Sequence, residues 1–171
     1  MPYLDLGQYE EASDHFRHAL SLCREIGDRW GEVVGLLNIG GAHRKLQQFE
    51  DALDYFQRAL DVACPAHDRS GEAAALRSLG ATYRDLHRFD DALEYFQRAH
   101  LTYREIGDRW SESRTLLNIG DILQRLDQPE AAAESWRQAL PIFEDLGDPV
   151  TAAQIRHSLE ILDADNPGRC R

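Results

Sequence analysis

The stretch DRWGEVVGLLNIGGAHRKLQQFEDALDYFQRALDVACPAH fills residues 28–67. It returns in register over 68–107 and 108–147, and its first half returns over 148–163. The period is 40 residues. Self-similarity at a fixed spacing in this range is the mark of a solenoid array, in which each unit is one supersecondary element stacked on the next.

Each unit divides into two helices. Asp28, Asp68, Asp108 and Asp148 open the first, because an Asp side chain can accept hydrogen bonds from the unpaired N–H groups of a first helical turn. Gly27, Gly107 and Gly147 stand just before them and can adopt the left-handed conformation that ends the preceding helix. At the second junction His67 replaces the glycine and Pro65 precedes it, so the helix there ends early. Leu36, Ile39, Gly40 and His43 fall at i, i+3, i+4 and i+7, one helical face. Their copies are Leu76, Leu79, Gly80, Tyr83 and Leu116, Ile119, Gly120, Leu123. This helix A spans roughly 29–46. After a short turn at Gln47-Gln48, helix B carries Ala52, Phe56 and Ala59, then Ala92, Phe96, Ala99, then Ala132, Trp136, Ala139. A glycine inside a helix costs about 1 kcal/mol relative to alanine. Gly40, Gly80 and Gly120 therefore imply close approach of helix B, with its small alanines at the crossing point.

The order Leu, Ile-Gly, aromatic, Ala, Phe, Ala resembles the tetratricopeptide repeat, over nearly the whole chain. The usual period of that family is about 34 residues. The longer variant here is similar to repeats of kinesin light chains, spindle-orientation adaptors and bacterial multidomain regulators of the signal-transduction ATPase type. The resemblance implies an all-α, right-handed solenoid of antiparallel hairpins without strands. Seven to eight helices and a C-terminal capping helix are expected in one array over 1–165. Residues 1–27 supply only a helix B, with Ala12, Phe16, Ala19 and Leu20 on an apolar stripe left exposed, and Leu6-Gly7-Gln8-Tyr9 matches the turn before helix B. The chain thus reads as starting in mid-repeat. Residues 148–163 read as a capping helix A, in which Glu160 stands where Gly40 does, and 164–171 as a flexible tail.

The resemblance also places helices A on a concave, ligand-binding face. A second stripe of helix A carries Asn38, Arg44 and Lys45, then Arg77, Ser78 and Arg84, then Arg114, Asn118 and Arg125, with Asp85 and Asp121 among them. An Asn amide can bond both N–H and C=O of an extended peptide. In the long-repeat relatives an Asn ladder at this place holds peptide backbone, and Ser78 interrupts it here. Arginines can engage carboxylates bidentately. The expected role is a non-catalytic protein-interaction module that holds an extended acidic peptide. Self-association through the first helix, or service as the sensor part of a larger regulator, are the alternative readings.

Charge and composition bound the rest. With 19 basic and 30 acidic residues the net charge is −11, which argues against bulk attraction to nucleic acid or anionic membrane. No apolar run approaches the roughly 20 residues that span a bilayer. Cys23, Cys64 and Cys170 have no metal or disulfide spacing and read as reduced thiols of a cytoplasmic protein. His15 and His18 lie at i, i+3 but lack a third metal ligand, so no metal and no cofactor are expected. No Gly-rich phosphate loop, HExxH or GxSxG occurs. Trp30 and Trp110 are expected to staple helix A to the preceding helix, His43 to pack where Tyr83 does, His100 to be semi-exposed, and Tyr55 and Tyr95 to be half exposed.

Overall fold

A computed structural model describes residues 6–165. Eight helices follow one another, and no strand occurs among the described residues. They are α1 (Leu6–Ile26), α2 (Arg29–Lys45), α3 (Phe49–Ala63), α4 (Arg69–Asp85), α5 (Phe89–Ile106), α6 (Arg109–Arg125), α7 (Pro129–Asp145) and α8 (Pro149–Asp165). Helices α2, α4, α6 and α8 are the A helices. The B helices are α1, α3, α5 and α7. The chain divides into two compact units within α5, one ending at Thr102 and the other beginning at Tyr103.

The local signals act as their chemistry requires. Asp28 Oδ1 accepts from Gly31 N at 2.9 Å and Asp68 Oδ1 from Gly71 N at 2.9 Å. Asp108 and Asp148 cap α6 and α8 through Ser111 N and Thr151 N, each at 3.0 Å. Gly27, Gly107 and Gly147 have φ of 73–74°. Helix α3 stops at Ala63, before Pro65, and His67 takes the left-handed conformation in place of glycine. Helix α1 begins at Leu6, earlier than the match to the later turns suggested, and α8 continues through Ala164 to Asp165. Cys170 and the rest of the tail lie outside the described residues.

In the first unit, α1 packs on α2, α2 on α3, and α3 on α4; α2 also meets α4. Leu36, Ile39, Phe56, Leu76, Leu79 and Phe96 are buried, with Ala52, Ala59, Ala92 and Ala99 filling the crossings. The glycines answer first to rings, and at Gly80 also to the backbone of Ala92. A Cβ on Gly40 would stand 2.7 Å from Phe56 Cε1, and one on Gly80 would stand 3.1 Å from Phe96 Cδ1. Leu20 is buried and lies against Gly35, so it leaves the exposed stripe expected of α1. Ala12 and Phe16 are half-buried and Ala19 is exposed.

In the second unit, α6 packs on α7 and α7 on α8. Leu116, Ile119, Ala132, Trp136 and Ala139 are buried. A Cβ on Gly120 would overlap Trp136 Nε1, whose N–H donates to Asp121 Oδ1 at 3.3 Å. Trp30 and Trp110 are 66% and 53% exposed. They do not staple the helices, and the polar Ser70 at the same register was the sign that this position faces solvent.

Glu32 is buried and receives Arg24 Nε at 2.8 Å and Arg29 Nη1 at 3.0 Å. Burial alone would raise its pKa, but the two guanidiniums outweigh it and hold the carboxyl below its ordinary value. Such a group stabilises the fold fully above the unfolded value of about 4.3 and loses that contribution as pH falls. In Glu32→Gln the acid limb of the melting-temperature profile below about pH 4.3 should be shallower than in the wild type; parallel profiles would contradict this role.

Two glycines in one helix give opposite predictions. Overpacking costs about 1–3 kcal/mol, more than the roughly 1 kcal/mol an alanine gains in helix propensity, so Gly40→Ala should lower the melting temperature. Gly41 has nothing within 4 Å of a built Cβ, so Gly41→Ala should stabilise by about 1 kcal/mol. Calorimetry of both variants checks the pair.

Candidate functional site

The second stripe of the A helices has its continuous part on α2 and α4 in the first unit. Helical spacing sets Asn38, Arg44 and Lys45 on one side of α2, and Arg77, Ser78 and Arg84 at the matching places of α4. The two helices are direct neighbours. Their last turns converge on a single carboxylate. Arg44 Nη1 lies 2.7 Å from Asp85 Oδ2, and Arg84 Nη2 lies 3.1 Å from Asp85 Oδ1. All three side chains are only partly exposed, at 24%, 37% and 28%. Two guanidiniums therefore share one acid, and Lys45 and half-buried Arg77 lie on the same stripe.

Asn38 is exposed on this face. Ser78 donates its Oγ hydrogen to Ala74 O at 2.8 Å, within its own helix. A hydroxyl so used offers an acceptor to a ligand rather than a donor.

In the second unit, Arg114, Asn118 and Arg125 lie on α6. Asn118 Nδ2 donates to Arg114 O at 2.9 Å, an intrahelical bond. The Arg114 guanidinium carbon stands 4.8 Å from the centroid of the Trp110 ring, a cation–π arrangement. The repeated register brings Asn38 and Asn118 to equivalent helix positions, but only Asn118 spends a donor on its own backbone in this way.

The remaining candidates have structural surroundings. His43 stacks on Tyr55 with centroids 5.2 Å apart, and Tyr83 stacks on Tyr95 at 5.3 Å. His100 is half-buried, as are Tyr55 and Tyr95. His15 and His18 are exposed on α1. No group of three His, Cys, Asp or Glu side chains that could hold a metal occurs among the described residues. Among the same residues no helix is long and apolar enough to cross a membrane.

Comparison with known proteins bears on this geometry. A tetratricopeptide repeat profile matches residues 3–64 and 71–145, and a second one matches residues 37–102. The chain belongs to the tetratricopeptide repeat family. A search of curated proteins returns no significant match. Solved structures do match. BtubC (BKLC) from P. vanneervenii is 18% identical with a TM-score of 0.77, over 92% of this chain and 66% of that one. A Rap protein complexed with competence and sporulation factor is 18% identical with a TM-score of 0.73, over 94% of this chain and 45% of that one. A kinesin-light-chain-like repeat protein from Podospora anserina is 13% identical with a TM-score of 0.74, over 95% of this chain and 81% of that one. At these identities the likeness establishes the helical-repeat fold. The chain spans less than two thirds of the length of the first two.

The sequence singled out the basic stripe but not the role of Asp85. That residue counted only as an opposing charge. Its position as the common acceptor of two arginines depends on the distance between α2 and α4, which no within-helix spacing states.

Proposed function

We propose that this tetratricopeptide repeat protein is a non-catalytic protein-interaction module whose A-helix face takes an extended, acidic segment of a partner in the cytoplasm. The observation that carries this reading is the pair of guanidiniums from neighbouring helices that meet at Asp85. They are already arranged around a carboxylate, and Asp85 occupies the place that a ligand carboxylate would take or share. Arg is suited to this because its planar fork is pre-organised and loses little freedom per hydrogen bond formed. Asn38 supplies a free amide for peptide backbone on the same face. The complexed Rap structure supports the reading to the extent that the same fold carries a bound factor.

The test is the affinity of an acidic peptide measured by fluorescence polarisation. A hydrogen bond to a charged group contributes about 1.5–3 kcal/mol, so Arg84→Ala should weaken binding by about ten- to a hundredfold. Asp85→Asn should strengthen it, because the two arginines lose the carboxylate they share. Equal affinity of the wild type and the Arg77→Ala/Arg84→Ala double variant would overturn the proposal.

A further inference from the structure

A cavity of about 330 Å³ opens in the first unit, away from the stripe just described. Glu10, Ser13, Asp14 and Arg17 of α1 line one side, and His43 and Gln48 with the apolar Leu46 line the other. One repeat later, Leu53 stands in register with Ser13, Tyr83 with His43, and Arg88 with Gln48. There the Arg88 guanidinium carbon stands 4.7 Å from the centroid of the Tyr83 ring. All three side chains at the first position are smaller than their counterparts at the second.

The polar groups around this space are unequally spent. Arg17 Nη1 donates to Asp14 Oδ1 at 2.7 Å. Its Nη2 lies 3.3 Å from His43 Nε2. His43 Nδ1 donates to Gln48 Oε1 at 2.6 Å, so Nε2 is the lone-pair side that receives Arg17. The cationic and imidazole groups are thereby committed to their neighbours. Acceptors remain. Ser13 is 3% exposed, and its Oγ has no hydrogen-bond partner, a state that native proteins rarely leave unanswered. Glu10 adds a carboxylate that no described residue pairs. With Glu10 and Asp14 against Arg17, the wall carries one excess negative charge, within a chain of net charge −11.

From these residues we infer that the cavity is a binding site for an organic cation, an ammonium or guanidinium group on a short alkyl stem. The stem lies along Leu46. The cationic N–H groups donate to Glu10 and Ser13. Such a group belongs either to a free small amine or to the end of a lysine or arginine side chain of a partner. The site is independent of the acidic-peptide face and does not rest on it.

The experiment titrates agmatine, and separately an end-blocked arginine tripeptide, into the intact chain and follows the backbone amides of residues 13, 43 and 48 by NMR. Saturable shifts at these residues are expected. Ser13→Leu, which installs the side chain found at position 53, should weaken binding at least tenfold while melting at or above the wild-type temperature. Glu10→Gln should weaken binding without filling the cavity, and so tests the charge if the first variant fails to fold. Binding of agmatine alone assigns a small amine, and comparable binding of the tripeptide assigns a partner side chain. No saturable shift with either probe, or Ser13→Leu and Glu10→Gln both binding as the wild type does, would overturn the inference.

Discussion

Within each hairpin the packing depends on one contact: a ring of helix B pressed against the bare backbone of helix A. Phe56 lies on Gly40, Phe96 on Gly80 and Trp136 on Gly120. Absence of a Cβ is what lets the two helices approach closely enough for the flanking alanines to be fully buried. Close-packed interiors tolerate little added volume, so the spacing between the helices is set at this point. The glycine's cost in helix propensity is offset by burial of an aromatic side chain, worth on the order of 1.5–3 kcal/mol for phenylalanine. Where tryptophan replaces phenylalanine, the larger ring gains a polar handle in Asp121.

A second contact, between repeats, shapes the A-helix face. When α2 and α4 are neighbours, the last turns of both bring an arginine to the same carboxylate. Partly exposed ion pairs contribute little to stability, so stability alone does not account for the cluster. The face gains its chemistry from a contact between repeats, and only the array can make it.

Much of this was legible in the residues. The four Asp caps, the glycine stops and the proline that ends α3 were readable because each acts through the backbone within one turn. The periodic core was readable because burial follows the 3.6-residue spacing. What lay beyond sequence reasoning had a common cause, the distance between helices. The glycines suggested contact with alanine, which Gly80 makes with the Ala92 backbone, but the nearest neighbours of Gly40, Gly80 and Gly120 are rings. Trp30 and Trp110 looked like staples, yet the first turn of helix A turns that register outward, as Ser70 shows. The cavity beside Ser13 has a trace in the sequence, where Ser13 stands against Leu53 and Leu93 of the later repeats.

The central claim is that the A-helix face recognises acidic, extended segments. An unbiased peptide-display selection against the purified chain addresses it most directly, with counter-selection on an Asn38→Ala/Arg84→Ala variant whose helicity is verified by circular dichroism. The account predicts enrichment of sequences rich in Asp and Glu that fail to bind the variant. Enrichment of basic or apolar sequences, or of acidic ones held equally by the variant, would contradict it.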